Sequence, residues 1–352
     1  MLRFLARRIR YSLLVLWGLV TLVFFLFNVL PGDPARLTIG QRSDITTLKN
    51  VRHELNLDKP LFTRYLLYLN DLSPLSINGR DSAARSKYNY VPLFPVSARK
   101  CLALKWPYMG RSYNTRRRVN TVLAEALPGT VVLALAAMTL ATILGILLGI
   151  VAALKKDTWL DTSAIAASVA GISMPSFFAG LLIAYLFGYL LHSVTWLNMT
   201  GSLWEYDPFT GRHLAIKNLI LPALALGIRP LAIITQLSRS ALLDVLSQDY
   251  IRTAYAKGLS TRKVIFRHAL PNALNPVVTA ISGWLAELLA GSFFVEYIFG
   301  WKGVGRLTVE ALDKFDFPLV MGAVLLTAFI FIIVNLLTDM LYGWLDPRVR
   351  LG

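Results

Sequence analysis

The strongest constraint on this chain is a series of apolar runs with few or no charges, each long enough to cross a lipid bilayer. About 20 apolar residues span the hydrocarbon core as a helix, and six stretches reach that length. With 55% hydrophobic and only 16% charged residues, the chain is too apolar for a soluble protein of this size. We therefore predict an all-α polytopic membrane protein with six transmembrane helices. The runs are 11–32, 126–154, 162–191, 218–238, 275–295 and 319–342.

The distribution of Lys and Arg predicts the orientation of these spans. Outside the long loop after the first span, fourteen basic residues fall on the predicted inner side and five on the outer side. Cytoplasmic loops carry an excess of Lys and Arg, so both termini are expected in the cytoplasm. This topology accounts for the formal net charge of +16. Nucleic acid is not an expected partner, because the basic clusters lie beside apolar spans without interleaved aromatic residues.

The spans divide the chain into three regions. Residues 1–32 form the cytoplasmic N-terminus and first span, 33–127 a large external (periplasmic) loop subdomain, and 128–352 a core with the other five spans. Within the external loop, 54–69 is amphipathic and suits an interfacial helix. The stretch 75–105 gives no basis for a role.

Two spans carry local features with structural meaning. Gly145 and Gly149 have the small-xxx-small spacing that lets helices approach closely in a bilayer. Met174 and Pro175 interrupt the third run, where proline predicts a kink.

A polar segment between the fourth and fifth spans, residues 239–272, is more structured than a simple connection requires. It carries six Lys or Arg against two Asp, which favours the cytoplasmic side. Asp249 is expected to cap a first short helix, and Gly258 to follow its end with a positive φ. The segment is therefore predicted to be a helical hairpin with a glycine at its turn.

The second limb of this hairpin is expected to begin at Ser260 or Thr261. Pro271 should end it, since proline disfavours helix at the residue before it. An ordinary positive-inside loop and a docking element for a partner both remain open from these residues alone. The residues expected on one apolar face are Val264, Ile265, His268 and Ala269.

This hairpin resembles the cytoplasmic coupling loop of ABC importer permeases. The general form there is EAA, three residues, Gly, nine residues, Ile, any residue and Leu-Pro. The chain matches the glycine, one alanine and the Leu-Pro but departs from Glu-Ala and from Ile, and RTA followed by AKG is the form typical of the dipeptide and oligopeptide branch. VEYIFGWKGVGRL (295–307) and LDPRVR (345–350) also resemble peptide permeases. The resemblance assigns ATPase coupling to a loop containing Arg252, Thr253, Ala254, Tyr255, Lys257, Gly258, His268, Leu270 and Pro271.

The resemblance implies a multi-pass permease subunit of the bacterial inner membrane that imports di/oligopeptides or a related small solute. Its implied partners are a sister permease forming a heterodimer, two ABC ATPase subunits, a periplasmic or lipid-anchored solute-binding protein, and membrane lipid. The chain lacks the form Gly-x-x-x-x-Gly-Lys-Ser/Thr that cradles ATP phosphates. No bound cofactor, metal site or catalytic residue is therefore expected on it, and ATP would be used by the partner subunits.

Two charges inside predicted spans are candidates for the translocation path. Arg229 lies near the middle of the fourth span and Glu287 within the fifth. A charge at that depth is costly and should face protein, water or a counter-ion, so Glu287 is the expected partner of Arg229. The pair could be a purely structural ion pair or could line a hydrated path.

Two rival functions are weighed against ATP-driven import. An ion-gradient-driven secondary transporter would explain the two buried charges, although such folds usually contain internal repeats and none is evident. A membrane enzyme would need clustered nucleophiles, bases or metal ligands, whereas Cys101 is the single cysteine and the four histidines are scattered.

Overall fold

The fold is that of a computed structural model, which describes residues 2–29, 52, 56–209 and 211–345. The chain is mainly helical and forms two compact units. The larger unit comprises Ala126–Val309, Phe329–Gly352 and Met1–Phe4, and the smaller unit comprises Leu5–Glu125 and Glu310–Ala328. The stretch 33–51, which was predicted to be external, and the part of the LDPRVR tail after residue 345 lie outside the described residues.

The N-terminal third combines two helices with a short αβ segment. Its first helix contains residues 11–29 of the first predicted span, whose last three residues lie outside the description. Its second helix confirms the second half of the amphipathic helix expected over 54–69, but it begins only at Leu61, because residues 56–60 form a turn. In chain order the elements are α1 (Leu2–Val29), α2 (Leu61–Leu72), β1 (Leu75–Gly79), α3 (Ser82–Tyr88), β2 (Val91–Ser97) and β3 (Lys100–Leu104).

The remaining elements are mostly apolar helices with short polar connections. They are α4 (Val119–Leu154), α5 (Trp159–Ser173), α6 (Ser176–Ile183) with a π-helical turn (Ala184–Leu190), α7 (His192–Thr195), β4 (Trp204–Asp207), β5 (Gly211–Leu214), α8 (Lys217–Leu246), α9 (Asp249–Ala256), α10 (Thr261–Val264) with a π-helical turn (Ile265–Ala269), α11 (Leu270–Ala273), α12 (Asn275–Gly291), α13 (Phe293–Ile298), α14 (Val304–Asp313) and α15 (Phe317–Leu345).

The stretch 75–105, to which no role was assigned, forms a three-stranded antiparallel sheet in the order β1, β3, β2. Tyr90, Cys101 and Ala103 are buried on one face with part of α3. On β1 the usual alternation is inverted, since Ser76 is buried and Ile77 is exposed. The spans are helical as predicted, but this sheet and the β4–β5 hairpin add strands that the all-α prediction did not include.

Four described helices are long and apolar enough to cross a membrane, and the number rises to six if two bent helix pairs each count as one span. The first pair, α5 with α6 and its π-helical turn, bends by 111°. The break falls at Met174 and Pro175, so the predicted kink is a sharp reversal. The second pair, from Thr261 to Gly291, bends by 54°.

Helix α8 is the centre of the larger unit. It packs against α5, α6, α11, α12 and α13. Pro222 and Pro230 lie inside it without ending it, because surrounding helices can re-satisfy the backbone groups that proline frees in a membrane protein. The core around α8 includes Leu133, Ala137, Leu221 and Trp301.

The approach of α4 to α8 confirms the predicted role of the two glycines. A Cβ on Gly149 would lie 2.5 Å from Ser238 Cβ and 2.8 Å from the Thr235 carbonyl oxygen. A Cβ on Gly145 would lie 2.8 Å from Ile234 Cγ2. These distances are too short for any larger side chain, so the two backbones meet only because these positions are glycine.

Gly149→Val is therefore expected to destabilise the solubilised chain by about 1–3 kcal/mol, the usual cost of overpacking a close contact. Gly18 is the matched control, since it is also helical and a Cβ there meets nothing within 4 Å. Thermal unfolding followed by tryptophan fluorescence should show a lowered midpoint for Gly149→Val and little change for Gly18→Val. Equal midpoints would contradict the α4–α8 contact.

Candidate functional site

The hairpin between α8 and α12 has a regular glycine-terminated first limb. Gly258 has φ +76°, as predicted. Its N–H donates to the Tyr255 carbonyl oxygen (2.9 Å), and the Leu259 N–H donates to that of Ala254 (3.3 Å). This pair of bonds is a Schellman motif, which satisfies the last carbonyls of α9. The prediction that Asp249 caps α9 is wrong by one position, because Gln248 is the N-cap and Asp249 is the first helical residue.

The second limb differs from the prediction at its end. Ser260 is the N-cap residue of α10, as expected, although its side chain makes no capping bond. Pro271 does not terminate the limb, which continues to Ala273. The physical reason is that Pro271 lies in the first turn of α11, where its missing N–H costs nothing.

The apolar face of the hairpin packs against the chain's own spans. Val264, Ile265 and Ala269 are buried as predicted, and His268 is partly buried. Ala254 is also buried, so it supports the hairpin from inside and does not face outward. The full cluster is Ile150, Ala153, Leu242, Ile251, Ala254, Val264, Ile265, Ala269 and Ala273.

The outward surface of the hairpin is polar and concentrated around its turn. Arg252, Thr253, Lys257 and Gly258 are exposed, and Tyr255 is 42% exposed. A Cβ at Gly258 would meet nothing within 4 Å inside the chain. The space beside Gly258 is therefore open. We refer to Arg252, Thr253, Tyr255, Lys257 and Gly258 as the turn surface.

Two polar contacts hold the hairpin together from within. Asn272 Nδ2 donates to Tyr250 Oη (3.1 Å), which joins the two limbs, and to the His268 carbonyl oxygen (3.0 Å) within the second limb. Leu270 is partly buried and Pro271 is exposed. The contact from Asn272 to Tyr250 therefore ties the start of α9 to α11.

An ion pair at the start of the hairpin segment was not predicted. Arg239 donates through Nε to Asp161 Oδ1 and through Nη2 to Oδ2 (2.6 Å), a two-point contact between α8 and α5. Asp161 is only 3% exposed. Removing one partner of a buried pair leaves the other charge uncompensated, so this contact holds α5 to α8 where the hairpin begins.

The predicted pairing of Arg229 with Glu287 is wrong. Among the described residues no ion pair joins them, and the Arg229 guanidinium instead lies 5.7 Å from the ring centroid of Trp284, one turn before Glu287 on α12. The indole face can attract the cation without a carboxylate. Both charged side chains are exposed on the single chain, so each faces a surface that this chain does not cover.

A buried carboxylate in the 295–307 segment was also missed, although it is the only acid there. Glu296 is fully buried and accepts hydrogen bonds from Thr130 Oγ1 (2.8 Å), Ser292 Oγ (2.5 Å) and the Arg306 N–H (3.1 Å). Burial raises the pKa of Glu296, and these donors oppose that shift. The carboxylate joins the first third of α4 to the N-cap of α13 and to the following glycine-rich turn.

The glycines of that turn surround the carboxylate. A Cβ on Gly303 would lie 2.3 Å from Glu296 Oε2, and one on Gly305 would lie 2.9 Å from it. Trp301 Nε1 donates to the Gly129 carbonyl oxygen (2.9 Å). Gly303 and Gly305 are required because Glu296, the Thr130 hydroxyl and the Phe293 backbone occupy the space that a larger side chain would fill.

Comparisons with known proteins decide the family. The family described as "Binding-protein-dependent transport system inner membrane component" matches residues 145–351, and its N-terminal counterpart, "Binding-prot-dependent transport system membrane comp, N-term", matches residues 1–134. The chain belongs to this family. It is thus a multi-pass inner membrane component of a transport system, and the N-terminal match includes the 75–105 sheet.

Relatives along the whole length of this membrane component are named as peptide permeases. It is 36% identical to the "Di/tripeptide transport system permease protein DppB" of Pseudomonas aeruginosa, with 99% of each chain covered. It is 35% identical to the "Dipeptide transport system permease protein DppB" of Escherichia coli K12, again over 99% of each chain. A chain of the inward-facing MetNI methionine ABC transporter is 14% identical, with a TM-score of 0.50 over 64% of this chain and 96% of that one, which shows a shared fold.

Variants of Arg229 test whether transport requires the positive charge of this side chain. Arg229→Ala is expected to reduce uptake by more than Arg229→Lys, because lysine keeps the positive charge at mid-span. Uptake in cells carrying the complete transport system, normalised to the amount of inserted protein, measures this. Equal uptake by both variants would mean that the charge itself is not required.

Proposed function

We propose that this chain is the membrane-spanning permease subunit of an ATP-driven importer of di/oligopeptides or a related small solute. The names of the full-length relatives support the cargo class. The observation that carries the mechanism is the hairpin, whose apolar face is held by the chain's own spans and whose turn surface is left open. A displacement of the turn surface could be transmitted through this packed face to α4 and α8.

The turn surface would engage one of two ABC ATPase subunits. In this proposal Arg252, Thr253, Tyr255, Lys257 and Gly258 contact the ATPase. The buried Ala254 and the partly buried His268 and Leu270 support the hairpin from the side of the spans, whereas Pro271 is exposed in the first turn of α11. The chain has no phosphate-cradling loop of its own. ATP is therefore bound and hydrolysed by the partner subunits, and this subunit is not itself an enzyme.

The exposed charges on α8 and α12 support a shared pathway with a sister permease. Arg229 and Glu287 lie inside apolar helices, where exposure to lipid would be costly. A second permease subunit, forming a heterodimer, would cover this surface and enclose a hydrated path that the two side chains line. A periplasmic or lipid-anchored binding protein would deliver cargo to its outer end.

Transport would follow alternating access, in which ATP-driven closure of the ATPases shifts the hairpins and reorients the packed spans. The secondary-transporter alternative gains no support from the Arg229 and Glu287 geometry, because the two charges do not form the exchangeable pair that it would use. Loss of uptake on deletion of an ATPase partner separates the two mechanisms.

The proposed topology places both termini and the hairpin in the cytoplasm. On a Cys101→Ser background, Arg262→Cys should resist an impermeant thiol reagent added to intact cells, whereas Asn114→Cys should react. Both native side chains are exposed, so burial does not confound the comparison. Labelling of position 262 from outside would overturn this orientation.

Substitution at Gly258 tests the coupling role. Gly258→Val should abolish most ATPase association and uptake, while Gly258→Ala should be milder. At positive φ a side chain is strained by about 1–2 kcal/mol, and valine adds bulk to the turn surface. Insertion in the membrane should be unaffected, because no span changes.

Gly211 supplies a matched control for this experiment. It has the same φ of +76° and also has nothing within 4 Å of a Cβ, but it lies in the β4–β5 hairpin. Gly211→Val should therefore carry the same backbone strain and leave ATPase association intact. Normal co-purification of the ATPases and wild-type uptake by Gly258→Val would show that the turn surface does not couple.

A further inference from the structure

A cavity of about 210 Å³ lies within the smaller unit and belongs to none of the features described above. Its walls come from the end of α1, one face of α2, the chain around residues 108–113 and the start of α15. Most of the lining is apolar, including Phe24, Leu67 and Leu325. The volume is far more than a single bridging water occupies.

Helix α2 presents polar groups to this cavity at helical spacing. Arg64, Tyr68 and Asp71 are separated by four and three residues and so lie on one face, and all three line the cavity. Tyr68 Oη is buried and has no hydrogen-bond partner among the described residues. An unpaired buried hydroxyl is costly, so this atom points to a missing partner.

Arg64 and Asp71 differ in how their charges are compensated. Asp71 accepts a hydrogen bond from Tyr88 Oη (2.9 Å) and lies 3.9 Å from Lys105 Nζ. Arg64 donates to the neutral Asn28 side chain, and no carboxylate pairs with it in the described part of the chain. Burial lowers the pKa of Arg64. The cavity therefore offers one uncompensated cation and one unpaired hydroxyl, four residues apart.

The position of these groups relative to the membrane identifies the source of a ligand. Within the described residues the apolar window of the first span is Ala6–Asn28, and the predicted run ends at residue 32, so the Arg64 contact at Asn28 lies close to the end of this span, near the boundary of the hydrocarbon layer. The other side of α2 exposes Phe62 and Leu66, as an interfacial helix does. Lipid head groups are the anions present at this depth.

We propose that this cavity binds an acidic phospholipid, with its phosphate on Arg64 and Tyr68 and the first part of an acyl chain against the apolar wall. The guanidinium supplies charge-assisted hydrogen bonds, and the tyrosine hydroxyl donates a further one. Asp71, already paired, lies one turn beyond Tyr68 on α2, in the direction away from Arg64. The site is separate from the hairpin and from the mid-span charges.

The test uses the full-length chain in neutral detergent, titrated with phosphatidylglycerol or phosphatidylcholine. Lipid retention is measured by native mass spectrometry and stability by thermal unfolding. The wild type should prefer phosphatidylglycerol, and Arg64→Gln should weaken that binding by about tenfold, the usual effect of losing a charged hydrogen bond. Arg80→Gln, which removes an exposed arginine of the same unit, is the control and should bind as the wild type does.

Tyr68→Phe gives a second test that does not depend on a charge. Without acidic lipid it should be as stable as the wild type or more stable, because an unpaired buried hydroxyl has been removed. With phosphatidylglycerol it should gain less stability than the wild type and bind about threefold more weakly. A Tyr68→Phe variant that is less stable without lipid would show that the hydroxyl has another role, and would overturn the proposal.

Competition by decanoate and by the dipeptide Leu-Phe distinguishes possible sources of the anion. Decanoate should displace phosphatidylglycerol only weakly, since it shares the chain but has a smaller head group, and the dipeptide should not displace it. Displacement by the dipeptide that Arg64→Gln abolishes would assign the cavity to a peptide carboxylate instead. Equal binding of both phospholipids, or an unchanged preference in Arg64→Gln, would also overturn the proposal.

Discussion

The close contact between α4 and α8 is the constraint on which the larger unit depends. In a bilayer, helices gain little from hiding apolar side chains from lipid, so association relies on shape and on small residues that let backbones meet. Gly145 and Gly149 provide that contact, and α8 then supports α5, α6, α12 and α13 around itself. The hairpin, the mid-span arginine and the Asp161 ion pair all depend on where α8 lies.

The polar contacts of the larger unit lie near the two ends of this helical core. At one end Asp161 and Arg239 hold α5 to α8. At the other, Glu296 collects donors from α4, from α13 and from the turn after it. In the apolar middle of the described part, the charge of Arg229 is satisfied partly by an aromatic ring. The middle is therefore held mainly by close packing, whereas its ends are also tied by directional bonds.

Local patterns in the sequence predicted the parts of the structure that depend on local chemistry. Gly258 at a helix end, the buried face of the second limb and the close approach at Gly149 follow from spacing alone. Contacts between residues distant in the chain could not be found this way, such as Asp161 with Arg239 or Glu296 with Thr130. The prediction that Arg229 pairs with Glu287 failed for the same reason. It rested on opposite charge alone, and the relative positions of α8 and α12 could not be read from the sequence.

The sheet was missed for a different reason. Pro92 and Pro95 in β2 argue against a strand, and β1 buries its polar residues while exposing its apolar ones. The segment 75–105 is stabilised by contacts between its strands and the helix that covers them. Its sequence pattern alone does not indicate strands. A strand of this kind is recognisable only once the third strand and the covering helix are known.

The Schellman turn at Gly258 has a mechanical consequence. Its two hydrogen bonds, together with the contact from Asn272 to Tyr250, leave the hairpin without a soft joint, and its apolar face is shared with α4 and α8. In the coupling that we propose, these contacts would limit bending within the hairpin when its turn is displaced. The displacement would then appear as a rotation of the helices behind it, and the hairpin would act as a lever arm whose length sets how far a small movement at the turn is carried into the membrane.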